Sequence, residues 1–249
     1  MNSPFKNPIS APVKAGGLSG RGPLGEVTYD FVTDGLAAHW DPNNGTSWTG
    51  SGTLNDLIAT ANLTFGNGAA VAGTAPKYVN LDGDNDSLYN INQSILQVGT
   101  GIITVCAWIY PTRGSGFFDP IITKRTSAGT AGWEIVNGAG SLRATIRGGT
   151  TRDIYGQTLS LNAWQLVGFS YNETTGAGRI FKNESIGSPT PGTGATIDST
   201  SAQLQVGDRM GDVNNDYAGR IGKMFVYNRF LSTVEIVTNY RATKATYGL

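Results

Sequence analysis

Read for its apolar and polar positions, the chain breaks into short runs with the period of a β-strand. In TVCAWIY, Val105, Ala107 and Ile109 alternate with Cys106, Trp108 and Tyr110, and both sets are apolar. Successive strand residues face opposite sides, so both faces need cover, and the run predicts a central strand. GRIGKMFVYN nearly alternates. Ile221, Met224 and Val226 can share a face only if an extra residue sits near Gly222 and Lys223, which predicts a β-bulge.

Similar runs recur from Val27 onward: GLAAHWDP, KYVNLDG, LYNIN, PIITKR, GWEIVN, SLRATIR, TRDIYG, AWQLVGFSYN, GRIFKNES and AQLQVGD, separated by Gly, Asn and Asp clusters. Many short strands without an intervening helical period predict a two-sheet sandwich. The core is expected to include Val105, Ala107, Ile109, Leu166, Ile221 and Val226. One helical signal stands near the C-terminus. Ser232 followed by Glu235 reads as a capping box, with Val234, Val237 and Tyr240 as an apolar stripe, so a short helix should start there and close one end of the sandwich.

Composition sharpens this picture. Abundant glycine (35 residues) fits many turns. The net charge of zero provides no broad basic field for nucleic acid or an anionic membrane. Cys106 is the only cysteine, which excludes an intrachain disulfide or a thiolate metal cluster. It reads as a buried structural thiol, and the solitary His39 beside Trp40 as a packed or exposed side chain rather than a general base. The first 26 residues differ from the rest. Pro4, Pro8, Pro12 and Pro23 punctuate Gly-rich sequence, and Lys6, Lys14 and Arg21 oppose only Glu26. Such a segment cannot form a core, lacks the apolar stretch of a signal peptide, and is expected to be an extended arm that anchors the domain to a partner. The expected organisation is therefore an arm over residues 1–26 and one all-β domain over residues 27–249.

Four pieces in order carry a family resemblance. YVNLDGDNDSLY is similar to an aspartate-glycine hairpin, ITVCAWIYPT to a tryptophan strand, NAWQLVGFSYNETTGAGRIFKNES to paired central strands, and AGRIGKMFVYNRFLSTVEIVTNY to a C-terminal strand leading into a leucine-serine helix start. Together they resemble the laminin G-like, concanavalin A-like jelly-roll family over roughly residues 33–249. One departure is Lys182-Asn183-Glu184, where the family has an asparagine-glycine turn. The resemblance implies two antiparallel sheets packed face to face, one concave. It also implies relatives that include sugar-binding modules, adhesion domains, glycan hydrolases and virion proteins.

The candidate chemistries then separate. A glycan hydrolase needs two carboxylates facing one cleft, and the apolar strands carry no acidic residues two or four apart. Glu134 stands alone, and Glu134, Glu173 and Glu184 read as solvated. Asp82, Asp84 and Asp86 alternate like calcium ligands, but an EF-hand would need Gly at 87 and Glu at 93, where the chain has Ser87 and Gln93. Asp82 and Asp86 are retained as calcium candidates against the reading that they shape a turn. DVNND, from Asp212 to Asp216, fails the same test. No phosphate loop is found. Trp48, in loop-like sequence, is the candidate glycan platform, weighed against folding back over the core edge. Trp108, Trp133 and Trp164 should be core.

These readings favour a non-enzymatic virion structural protein assembled in the host cytoplasm. It would be a phage capsid decoration or cement protein that forms homo-oligomers and is anchored through Lys6, Lys14 and Arg21. The alternative is a glycan-binding module of a tail fibre or adhesion protein. No bound cofactor is expected.

Overall fold

The structure, a computed structural model, describes residues 18–21, 27–92, 96–114, 118–197, 202–210 and 215–249. In chain order its strands begin with β1 (Leu18–Arg21), β2 (Val27–Tyr29), β3 (Leu36–Trp40), β4 (Thr53–Leu54), β5 (Leu63–Gly66) and β6 (Ala70–Ala72). There follow β7 (Tyr78–Asp82), β8 (Ser87–Asn90), β9 (Ile102–Pro111), β10 (Phe118–Arg125), β11 (Gly132–Gly138) and β12 (Ser141–Gly148). The series ends with β13 (Thr150–Thr158), β14 (Gln165–Asn172), β15 (Ala177–Lys182), β16 (Ser185–Ile186), β17 (Gln203–Val206) and β18 (Ala218–Tyr227). Helix α1 (Thr233–Thr243) and a 3-10 turn (Lys244–Tyr247) close the chain.

Two large antiparallel sheets result. The first runs β13-β12-β11-β10-β17-β8-β5-β4, and the second runs β16-β15-β14-β9-β18-β7-β6 with β3 paired to β18. Their inner faces share one apolar core. Trp133, Ile135, Ile146 and Leu204 of the first sheet meet Val105, Ala107, Ile109, Phe169, Ile221 and Val226 of the second. This is the predicted jelly-roll sandwich.

TVCAWIY behaves as its two-sided pattern requires. It lies in β9, between β14 and β18. Its other face carries Cys106 and Trp108, which join Leu166, Phe181, Phe225 and Tyr227 in a second apolar cluster with Ile236 and Tyr247. Leu166 is thus buried beneath the helix rather than between the sheets. Cys106 is fully buried, and that burial pushes its thiol far above the ordinary range.

The helix therefore lies on the outer face of the second sheet instead of closing an end of the sandwich. Trp108 stacks on Tyr247 at 4.3 Å and its Nε1 donates to the Thr243 hydroxyl at 2.8 Å. The capping box forms as expected between Ser232 and Glu235. The stripe is different: Val234 is exposed, and Ile236 and Thr243 are buried with Tyr240 packed beside them. A stripe beginning at Ile236 keeps the helical spacing and faces the sheet, whereas Val234 lies in the first turn on the solvent side.

The bulge is also present. Ile221 pairs with Ile109 and Met224 with Ala107, so one extra residue is accommodated between them. Gly222 leaves room there for the Tyr247 ring, whose hydroxyl accepts from the Lys223 N–H at 2.7 Å; a Cβ on Gly222 would collide with that hydroxyl.

The DGDND segment is not a hairpin. β7 belongs to the second sheet and β8 to the first, so the turn carries the chain from one sheet to the other. Turn-forming residues suit a sheet-crossing corner as well as a hairpin, and only the pairing distinguishes them.

β1 and β2 form a separate two-stranded ribbon, and β2 runs beside α1. Lys6 and Lys14 lie outside the described residues, and Arg21 ends β1. Among the described residues, no helix is long and apolar enough to cross a membrane.

Candidate functional site

The two outer faces differ. The helix covers part of the second sheet, but the cluster it forms contains no residue of the first sheet. On that first sheet most residues opposite the core are polar, interspersed with Phe118, Val136 and Tyr155. One row in register crosses neighbouring strands from Thr64 through Tyr89, Gln205, Thr123, Glu134 and Thr145 to Asp153. Alternation explains it: Thr64, Gln205, Glu134 and Thr145 are flanked in sequence by apolar residues packed in or against the core.

Glu134 lies in this row between Thr123 and Thr145 and is buried, not solvated. Its Oε2 accepts from Arg125 at 3.1 Å and lies 3.6 Å from Arg209. The segment after β17 folds toward this floor, where the Thr123 hydroxyl donates to the Asp208 carbonyl at 3.2 Å. Glu173 accepts from the Ile197 N–H at 3.1 Å, and Glu184 is exposed, as expected, with Arg241 at 2.7 Å.

Toward β13 the face opens. Arg143 reaches Asp153 Oδ1 through Nε at 3.2 Å and Nη2 at 2.9 Å, and the Thr145 hydroxyl donates to the same oxygen at 2.7 Å. Burial pushes the Asp153 carboxyl up, but the Thr145 hydroxyl and the Arg143 and Arg147 guanidinium groups outweigh it and hold the group below its ordinary range. The Arg143 guanidinium carbon lies 5.8 Å from the Phe118 ring centre and 5.5 Å from that of Tyr155. Tyr155 is 69 % exposed and Phe118 43 %. The result is an exposed aromatic ring held beside oriented polar groups on a rigid sheet.

The sequence-predicted candidates lie elsewhere. Trp48 is half-buried, packed against the core edge and edge-on to Phe65 at 5.2 Å. Trp133 is core, whereas Trp164 is half-buried on the outer side of the second sheet, against Tyr247. His39 is buried between Phe31 and Phe225. Asp82 and Asp86 do come together: Asp86 Oδ2 accepts from the Asp82 N–H at 3.0 Å, and Asp82 Oδ1 from the Asp84 N–H at 2.8 Å. Burial, and then the neighbouring Asp82, raises the Asp86 carboxyl. These local bonds are those of a turn. Among the described residues no three His, Cys, Asp or Glu side chains gather to hold a metal ion; Asp212, of DVNND, lies outside them.

Sequence reasoning missed Tyr155, Arg143 and Asp153. Their only local signal is the polar alternation of SLRATIR and TRDIYG, which marks a face open to water without saying what meets there.

With two eight-stranded sheets, one apolar between sheet and helix and one presenting a polar face, the molecule has a lectin-like architecture. The chain belongs to the concanavalin A-like lectin/glucanases superfamily, whose laminin G-type model matches residues 82–237. No curated protein sequence matches it. Among solved structures, it is similar to the receptor-binding domain of botulinum neurotoxin C/D mosaic serotype. That likeness has 16 % identity and TM-score 0.65, and covers 84 % of this chain and 51 % of that one. The binding domain of botulinum neurotoxin DC, solved in complex with rat synaptotagmin II, gives 15 % identity, TM-score 0.65 and coverage of 84 % and 52 %. A Trypanosoma rangeli sialidase with 2,3-difluorosialic acid gives 16 % identity, TM-score 0.64 and coverage of 87 % and 34 %. The chain thus spans about half of the neurotoxin binding domains and a third of the sialidase chain. At such identities the likeness is one of fold.

Proposed function

We propose that the chain is a non-catalytic glycan-binding module, with its site on the outer face of the first sheet around Tyr155. The observation that carries this is the exposed Tyr155 ring fixed beside Arg143, which Asp153 anchors in turn. Sugars are recognised by an aromatic surface for their C–H faces and a few oriented polar groups for their hydroxyls. The neurotoxin and sialidase neighbours, named for binding domains and a sialic acid derivative, support the reading. A glycosidase of this kind would need a protonated carboxyl in its cleft. Here Asp153 is held below its ordinary range and Glu134 is ion-paired.

The test is a glycan array followed by calorimetry. Tyr155→Ala is expected to weaken the tightest array ligand by about tenfold or more while leaving the thermal transition in place, because Tyr155 contributes nothing to the core. Undiminished binding by this variant would remove the site.

The finer reading is that the module is a virion protein, a capsid decoration or cement protein that forms homo-oligomers. Two features support it: β1 pairs with β2 outside both sheets, and residues 1–26 are Pro-rich with Lys6, Lys14 and Arg21 as their cations. Deleting residues 1–26 should leave the sandwich folded and abolish incorporation into particles. Normal incorporation of the truncated chain would contradict the attachment.

A further inference from the structure

The outer face of the second sheet holds a further aromatic cluster at the edge of the layer that the helix and Tyr247 form, with Trp164 packed on Tyr247 at 4.6 Å. Arg220 on β18 pairs with Asn80 on β7 and with Tyr110 on β9, so these side chains share that face, as does Tyr78 two residues before Asn80. The Arg220 guanidinium carbon lies 4.7 Å from the Tyr78 ring centre and 4.7 Å from that of Tyr110. Since β18 lies between β7 and β9, the two rings flank the cation from opposite sides. Trp164 adds a third ring, 6.0 Å from Tyr78 and 5.6 Å from Tyr110.

Several arginines of the molecule hold carboxylates, as Arg113 does Asp119, Arg143 Asp153 and Arg229 Glu235, while Arg152 and Arg179 are held by backbone carbonyls and hydroxyls. Among the described residues, the Arg220 side chain has these two ring contacts and no bonded carboxylate. A guanidinium whose faces are flanked by rings keeps its N–H edge for hydrogen bonding, and that planar fork matches the two oxygens of a carboxylate. The rings fix the cation before any ligand arrives and offer apolar surface for a pyranose. All four side chains are half-buried, so what they present suits a small ligand rather than the ~800 Å² per partner of a stable protein interface.

We propose that Arg220, Tyr78, Tyr110 and Trp164 form a second sugar subsite that reads the carboxylate of an acidic sugar of the uronic or sialic acid class. This rests on the reading of the chain as a glycan-binding module. Calorimetry with trigalacturonic acid against its methyl ester, and with sialyllactose against lactose, provides the test. At least one acidic probe should bind about tenfold more tightly than its neutral counterpart, since a charge-assisted fork is lost with the carboxylate. Arg220→Gln should erase that difference. Arg220→Lys should also reduce it, because an ammonium lacks the fork. Equal binding of the acidic and neutral members in both pairs overturns the subsite while leaving the module a glycan binder. So does an acid preference that survives Arg220→Gln, or one found only with acidic peptides. Failure of every glycan to bind, neutral or acidic, overturns both.

Discussion

His39 shows how much one residue owes to its surroundings. Its ring stacks on Phe225 at 4.6 Å and meets Phe31 edge-on at 5.1 Å, and its buried Nε2 has no hydrogen-bond partner. Burial lowers its pKa from 6.5 to about 4, and the nearby Asp41 offsets only part of that. The unfolded chain therefore binds a proton at a higher pH than the folded one. The stability tied to neutral His39 is complete above pH 6.5 and falls as pH drops from 6.5 toward 4, by on the order of 3 kcal/mol in all. As the only histidine, it gives a clean NMR signal. The imidazole should stay neutral down to about pH 4, and His39→Phe should flatten this part of the stability profile. Titration near pH 6.5 in the folded protein would contradict the buried position. A packed His39 is one of the two readings that GLAAHWDP allows, but its ring partners are not legible there, because Phe31 and Phe225 arrive from other segments. Glu134 was misread for the same reason: Arg209 comes from the far side of β17, and no local pattern announces it.

At the scale of elements, local chemistry and local structure agree where the partners are close in sequence. Ser232 and Glu235 cap α1 reciprocally, with the Ser232 N–H donating to Glu235 Oε2 at 2.7 Å and the Glu235 N–H to Ser232 Oγ at 3.3 Å. Arg229 then grips Glu235 at 2.7 Å. Ser232→Ala should cost about 1 kcal/mol in chemical unfolding, because it leaves an N-terminal N–H of the helix without its acceptor. A change within error would mean that the helix is held by packing on Trp108 and Tyr247 alone. The bulge at Gly222 was legible because one residue too many breaks an alternation. The corner after Asp82 was not, since its Asp and Asn residues satisfy a turn whether the flanking strands pair or part.

For the whole molecule, the sandwich could be read from strand count and from the two-sided apolarity of TVCAWIY. That pattern also implied a layer over the second sheet, which α1 and Tyr247 supply. The functional face was harder to read. Arg143, Asp153 and Tyr155 meet only through the register of β12 with β13, and sequence alone does not specify registers. Trp48 looked available because its neighbours are loop-forming, yet Phe65 draws it onto the core edge. This polar face, rather than the rim near Trp48 or the acid-reading subsite at Arg220, is where neutral glycan binds. Backbone amide shift mapping during titration with the tightest neutral oligosaccharide tests it most directly. The largest shifts are expected at Arg143, Thr145, Asp153 and Tyr155, with Trp48 and Arg220 unmoved. Shifts centred on Trp48 or Arg220, or none at saturating ligand, would contradict it.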